Sequence, residues 1–468
     1  MQGMIIAGTH SGCGKTTITL GMLAAMRKKG LTVQSFKAGP DFIDSGLHSL
    51  ITGRPARNLD LWMCGESYVK NSFLMNSQDA DISIIEGVMG LYDGVLSTAS
   101  LADKLDLPVV LVVDAFGLAE SAGAVVHGFA HYNRRPGGHR FSLAGAIFNR
   151  VASENHYERL KASVRDTPVL GFIPRNLQFE IPHRHLGLVV AEESPLSDEN
   201  LRRLSDAILE FVDVGMILDT LHRSNAEAVG EVSPEIRGLP PRRVSPLCRV
   251  AVAYDKAFCF YYEDNLDLLQ REGAQIVRFS PMSDSEIPRG VDAVYIGGGY
   301  PELHARELSQ NVSMLRSIRN WADEGKPLYA ECGGLMYLSK GIRDFQGIFF
   351  SMAGVYQFET QMKKDRSKLG YREVCLNENC LLGQKGEKIR GHEFHYSDIL
   401  SLHPSLAEGG WEGVSEAYSV RDSNGREMGC EGYRVKNAFA SYIHVHFGSH
   451  PAIARNFMDF VKESEWKT

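Results

Sequence analysis

Residues 4–17 read Met-Ile-Ile-Ala-Gly-Thr-His-Ser-Gly-Cys-Gly-Lys-Thr-Thr. Met4 to Ala7 is an apolar run of strand length. Gly8 to Gly14 is a loop of small residues. Lys15-Thr16-Thr17 then opens a helical stretch through Leu20, Met22, Leu23 and Met26 to Gly30. Strand, glycine loop, Lys-Thr and helix, in that order, make a phosphate-binding loop. Gly12 and Gly14 let the backbone curl so that successive N–H groups point at phosphate oxygens. The helix N-terminus adds partial positive charge. Lys15 is placed to reach the β- and γ-phosphates, and the Thr16 hydroxyl to hold Mg2+. One position departs from the strict pattern: residue 9 is threonine, and the glycine stands one place earlier, at Gly8.

Outward from this loop, Thr32 to Phe36 reads as a second strand, ending in Lys37-Ala-Gly-Pro-Asp41-Phe-Ile-Asp44. Open α/β sheets bind ligands at the carboxyl ends of their strands. Lys37 is thus a candidate for phosphate and Asp41 for Mg2+; the plainer alternative is a solvated loop rich in turn residues. Ile82, Ile84 and Ile85 make a buried strand with Glu86 at its tip. A carboxylate there is a Mg2+ ligand, direct or through water, or else a cap on the next turn. Leu107–Asp114, Gly145–Arg150 and Val169–Pro174 are further strands, alternating with helical stretches at 115–131 and 153–163. Leu107–Asp114 is continuously apolar, as in a sheet covered on both faces. The alternation predicts an α/β, doubly wound parallel sheet. Glu199–Phe211 closes it as a helix with Leu201, Leu204, Ile208 and Phe211 on one face.

From His222 to Leu247 the apolar period stops, and Pro234, Gly238, Pro240, Pro241 and Pro246 accumulate. This predicts a linker over 222–247 between domains at 1–221 and 248–468. The second half restarts with strands at 249–254, 275–279 and 293–296, the last running into Gly297-Gly298-Gly299-Tyr-Pro-Glu302. Pro327 to Glu331 is another strand. It is followed at once by Cys332-Gly333-Gly334 and a helical Leu335-Met-Tyr-Leu. A lone cysteine on a strand–helix turn is a nucleophile elbow, where the helix dipole lowers the thiol pKa. The alternative is a buried core cysteine. Gly298 and Gly299 offer backbone N–H groups to an oxyanion. The base candidates are His444 and His446, two apart on a probable strand and so on one face; spacing leaves the choice between them open. His392 and His395 have no third ligand in view, so zinc is not expected.

Bulk properties exclude several classes. The 468 residues allow two to four domains. Hydrophobic content of 44% and charged content of 23% are those of a soluble globular protein. A net charge of −7 argues against a nucleic-acid partner. No apolar run reaches the ~20 residues of a membrane helix, and the start is no signal sequence. Eight scattered cysteines without a C-x-x-C pair fit a reduced, cytoplasmic protein.

Seven segments, taken together and in order, resemble one family: Gly8 to Thr16, Lys37 to Asp44, Glu86 to Gly94, Gly298 to Glu302, Glu331 to Leu335, Gly391 to Tyr396 and Tyr442 to Phe447. This is the cobyrinic acid a,c-diamide synthase family, and the resemblance spans essentially the whole chain. It implies an N-terminal P-loop ATPase domain similar to dethiobiotin synthetase, whose loop has the same early glycine. It also implies a C-terminal class I glutamine amidotransferase domain. In most members of that class a glutamate stands two residues after the catalytic histidine. Here that place is His446, which points to a Cys332–His444 dyad and makes His444 the base.

The activity implied is conversion of two acetate carboxylates of a cobyrinic acid-type tetrapyrrole to carboxamides, in cobalamin biosynthesis. ATP activates the carboxylate and glutamine supplies ammonia. The implied ATP site comprises Gly12, Gly14, Lys15, Thr16, Thr17 and Lys37, with Asn149 resembling an adenine-reading asparagine. Thr16, Asp41 and Glu86 are the expected Mg2+ ligands, and Asp44 is expected to contact the reacting side chain. The macrocycle could be cobyrinic or hydrogenobyrinic acid. A nickel-sirohydrochlorin a,c-diamide synthase shares nearly all these segments. A partitioning-type ATPase, from a different class, leaves Cys332 unexplained. A homodimer is the assembly held open.

Overall fold

The computed structural model describes residues 2–132, 141–177, 183–184, 187–188, 196–227, 246–364, 368–400 and 414–463. The chain forms two compact units, Met1–Ile236 and Arg237–Thr468. Most of the expected linker, residues 228–245, lies outside the described residues. Its first six residues do not: His222 to Glu227 finish a helix, Val214–Glu227. No glycine or proline occurs there to stop it.

The first unit is built on a seven-stranded, fully parallel sheet. Its strands are β1 (Gly3–Gly8), β2 (Val33–Ala38), β3 (Arg57–Leu59), β4 (Ile82–Glu86), β5 (Val109–Asp114), β6 (Leu143–Val151) and β7 (Val169–Pro174). Their order is β3-β2-β4-β1-β5-β6-β7. Successive side chains on a strand point to opposite faces, and both faces are apolar here. Met4, Ile6, Ile84, Val110 and Val112 join one core; Ile5, Ala7, Ile85, Leu111 and Val113 join the other. Burying each such side chain contributes roughly 1.5–3 kcal/mol, so the unbroken apolar strands follow from their position. Helix α1 (Lys15–Lys28) packs its buried Ile18, Leu20, Leu23 and Met26 into the first core. Gly21 is where the helix Asp198–Phe211 crosses it, because a Cβ there would meet Ile208 at 2.7 Å.

From β1 the chain passes to β2 on one side of the sheet; from β4 it crosses to β5 on the other. Ligand crevices form at the carboxyl ends of strands where such a reversal occurs. The phosphate loop after β1, Lys37 in β2 and Glu86 at the end of β4 all lie there. Register sets Lys37 beside Glu86, and Ile6 beside Glu86 on the other side.

The second unit carries a ten-stranded mixed sheet. Its parallel part runs Ala274–Phe279, Cys248–Ala253, Ala293–Ile296, Leu328–Glu331, Ala438–Ser441. An antiparallel part continues through Glu427–Val435, Ser415–Asp422, Lys368–Leu376, Lys388–His395 and His444–Val445. A separate four-stranded sheet involves Gly341–Arg343 and Ser397–Leu400. Among the described residues, no helix is long and apolar enough to cross a membrane.

Candidate active sites

In the first unit, the loop from Gly8 turns into α1 through Gly14, whose φ of 98° lies in the left-handed region that favours glycine. Asn149, near the end of β6, fills the space a Cβ at Gly14 would need. Its Nδ2 donates to the Cys13 carbonyl at 2.9 Å. Asn149 thus holds the loop through one N–H of its side-chain amide. Lys15 is buried, and its ammonium donates to the His10 carbonyl at 3.3 Å. Burial pulls its pKa down. Thr17 follows half-buried on α1.

Behind the loop lies a buried charge cluster. Thr16 Oγ1 donates to Glu86 Oε1 at 2.6 Å. Lys37 Nζ lies 3.0 Å from the same oxygen and donates to Asp44 Oδ2 at 2.6 Å. His48 Nε2 lies 2.8 Å from Glu86 Oε2, with both side chains fully buried. Burial alone would raise the Glu86 pKa, but Lys37, His48 and Thr16 outweigh it and hold the carboxyl well below its usual range. Burial opposes the charge on Lys37 too; Glu86 and Asp44 more than offset it and keep the ammonium protonated. Asp44 receives one cation for two nearby acids. Burial, Glu86 and Asp41 push it up to about 7 against the pull of Lys37. Asp41 Oδ1 accepts the Asp44 N–H at 2.8 Å and so fixes the first turn of α2 (Ile43–Thr52).

These residues fit Mg2+. The donors are hard hydroxyl and carboxylate oxygens. Those of Thr16 and Glu86 already converge, while one oxygen of Asp41, Oδ1, accepts the Asp44 N–H. His48 was missed in the sequence. The available signal was its place four residues after Asp44, which puts both on one face of α2.

In the second unit, Cys332 stands between the strand Leu328–Glu331 and a helix, Gly333–Leu338. Its φ of 47° and ψ of −102° are a conformation that costs a non-glycine residue roughly 1–3 kcal/mol. The Cys332 N–H donates to the Ser441 carbonyl at 2.7 Å, anchoring the turn to the neighbouring strand. Small residues crowd around it. A Cβ at Gly334 would overlap the Ile296 carbonyl; one at Gly333 would lie 3.1 Å from the Gly299 nitrogen. A Cβ at Gly298 would overlap the His444 ring. The glycine segment therefore touches both the residue after the thiol and the histidine.

Two expectations need correction. The Gly298 N–H is already donated to the Phe260 carbonyl at 3.2 Å, and the Gly297 N–H to Tyr261 at 2.7 Å. Gly298 is thus small to admit His444 rather than to supply a donor; the remaining donor of the pair is Gly299. The second concerns the thiol. Only 5% of Cys332 is exposed. Burial, with the carboxyl groups of Glu302, Glu393 and Glu331 nearby, pushes its pKa up, against the Gly333 N–H.

His444 is buried and stacks on His392, with ring centroids 5.0 Å apart. Burial, aided by the charge of His395, pulls its pKa down to about 3, so the ring is a neutral imidazole at pH 7. His446 has another task. Its Nδ1 accepts the Gly448 N–H at 3.0 Å and its ring packs on Tyr262 at 4.5 Å. Asn265, also missed in the sequence, pins this segment. It donates to the Val445 carbonyl at 2.8 Å and accepts the Phe447 N–H at 2.7 Å. His392 is bonded to the Tyr262 hydroxyl, and His395 to Glu393 and the Ser397 carbonyl. Among the described residues, the His/Cys/Asp/Glu cluster close enough to share an ion is His127, His131 and Asp166, elsewhere and at the surface.

Comparison with known proteins agrees with both units. Residues 4–189 match the CobQ/CobB/MinD/ParA nucleotide binding domain, and residues 249–452 the CobB/CobQ-like glutamine amidotransferase domain. Fold and sites together define an amidating ligase with a nucleotide-binding part and a glutamine amidotransferase part. The chain is 44% identical over 469 residues to the cobyrinate a,c-diamide synthase of Syntrophotalea carbinolica, covering 98% of each. It is 41% identical to that of Caldanaerobacter subterraneus and 40% identical to that of Salmonella typhimurium, with 97% of each chain covered in both cases. The chain belongs to the cobyrinate a,c-diamide synthase family.

Proposed function

We propose that this enzyme amidates the a and c acetate carboxylates of cobyrinic or hydrogenobyrinic acid, using ATP and glutamine. Residues 1–221 would carry the synthetase chemistry and residues 248–468 the glutaminase chemistry. A carboxylate is a poor acceptor for ammonia, so it must first be activated. Its oxygen attacks the γ-phosphorus of ATP, giving an acyl phosphate and ADP. Lys15 and Lys37 offset the charge developing on the phosphoryl oxygens. Thr16, Asp41 and Glu86 would hold Mg2+, which when bound neutralises charge between the phosphates. Asp44 would face the substrate carboxylate from its place beside the Lys37 ammonium.

In the other unit, the Cys332 sulfur attacks the glutamine carboxamide carbon while His444 takes the thiol proton. The C–N bond breaks, and His444 returns the proton to the departing nitrogen as ammonia. Water then hydrolyses the thioester to glutamate. The oxyanion of the tetrahedral intermediate would accept hydrogen bonds from the N–H groups of Gly299 and Gly333. Ammonia displaces phosphate from the acyl phosphate, and two rounds give the diamide. Ammonium is not nucleophilic, so this transfer is served only if ammonia is kept from bulk water.

The observation that carries the reading is the strained Cys332 elbow bracketed by a glycine segment that also seats a neutral His444. A partitioning-type ATPase gives that strain no use. The test is mass spectrometry of products after incubation with ATP, Mg2+, glutamine and candidate tetrapyrroles. A gain of two carboxamides on cobyrinic acid is expected. Reaction confined to a nickel sirohydrochlorin, or no glutamine hydrolysis, overturns the assignment.

A further inference from the structure

We infer that Glu331, the residue immediately before the nucleophile, is the positioning residue for His444: its carboxylate orients the imidazole and stabilises the imidazolium formed when the thiol proton is taken. The inference rests on the Cys332–His444 reading above.

A general base that moves a proton off a nucleophile gains from a third group on its far nitrogen. In this unit His446, two residues on, is turned to Gly448 and Tyr262 and does not serve. Glu331 lies beside His444 Nδ1. Its Oε2 is 3.9 Å from His444 Nδ1, and both side chains are almost wholly buried. That distance is an ion-pair separation rather than a hydrogen bond; catalytic hydrogen bonds are often long before substrate binds and tighten afterwards.

The carboxylate is held firmly for this task. Oε1 accepts the Tyr329 hydroxyl at 2.7 Å and the Val445 N–H at 3.0 Å. Oε2 accepts the Tyr295 hydroxyl at 2.9 Å. Val445 is the residue after His444, so one carboxylate grips both the histidine's own backbone segment and the strand that ends in the nucleophile. The ionisable groups facing Glu331 are the phenols of Tyr295, Tyr329, Tyr261 and Tyr418 and the His444 ring. Those facing His444 are Glu331, His392 and His395. Glu331 is therefore the carboxylate placed to meet an imidazolium at position 444.

Glu331→Gln is the matching perturbation. The amide has the same shape, its oxygen can keep the Tyr329 and Val445 donors, and its NH2 can donate to Tyr295. It loses only the charge. In the full-length enzyme, the glutaminase kcat of Glu331→Gln is expected to fall on the order of 100-fold, with KM for glutamine within about twofold. Burial pushes the Glu331 carboxyl up to about 7 against the Tyr329, Tyr295 and Val445 donors, so parent and variant are compared above that pH, where the carboxylate is charged. Synthesis from ammonium salts stays intact and reports a folded protein. A wild-type kcat, or a fall in kcat/KM carried by KM rather than kcat, overturns the inference. If the Gln variant does not fold, Glu331→Asp decides. It keeps the charge but withdraws it by one methylene, so kcat falls at least about tenfold with KM within about twofold; an unchanged kcat overturns the inference. Cys332→Ala and His444→Ala serve as controls. Glutaminase activity surviving in either sinks the dyad itself, whereas loss in both beside a normal Glu331→Gln sinks only the role of Glu331.

Discussion

The two sites are built on opposite electrostatic plans. The nucleotide site keeps a resident ion pair: buried Lys37 and Glu86 hold each other charged, with Asp44 against the same ammonium. The thiol site keeps its reacting pair neutral: burial raises Cys332 and lowers His444. A site that must hold a polyanion gains from permanent, preorganised charge. A site that creates its ion pair only when glutamine arrives gains from a dry, neutral resting state, in which an exposed thiolate is not available for side reactions. The contrast teaches that buried polar residues in one chain can serve opposite ends, according to whether the charge is resident or transient.

The contrast can be broken most forcefully at the nucleophile. Cys332→Ala is expected to lower glutamine-dependent synthesis by about 10⁴-fold or more, while synthesis from ammonium salts persists; loss of both would show that the two plans are not separable. In the nucleotide site, Lys15→Ala is expected to lower synthesis on the order of 1,000-fold while glutamine hydrolysis continues. Lys37→Met should do the same. It should also destabilise the protein by about 3–5 kcal/mol, because Glu86 and Asp44 are left buried without their cation. Chemical denaturation of the full chain measures this, and an unchanged midpoint would mean that the cluster relaxes freely.

His48→Gln sharpens the comparison further. It keeps a donor near Glu86 but not the ring, and synthesis should fall about 10- to 100-fold; an unaltered rate would make His48 a mere filler. The smallest effect concerns Glu393. Burial would raise its pKa, but His395 and Arg372 outweigh burial and bring it down to about 2 from an ordinary 4.5. Its stabilisation is thus present above pH 4.5 and lost as pH falls through about 2. This is worth about 3 kcal/mol at most. Acid unfolding of Glu393→Gln should be correspondingly flatter, and equal slopes in mutant and parent would remove Glu393 from the account.

The sequence by itself determined what covalent neighbours decide. Apolar runs of strand length, punctuated by glycine and alternating with helical periods, fix a doubly wound parallel sheet. The order of strand, glycine loop and Lys15-Thr16 fixes a phosphate site. Cys332 between a strand and two glycines fixes an elbow. Tertiary structure alone decided what lies far apart in the chain. That Gly298 makes room for His444, that Asn149 clamps the loop, that His48 reaches Glu86, and that the sheet of the second unit extends through antiparallel strands from 368 to 435 are all matters of packing between segments distant in the chain. The net direction of each pKa belongs to the same class. Desolvation depends on everything packed around a group, and no local reading of residues 331–334 shows that Cys332 would be pushed up rather than down.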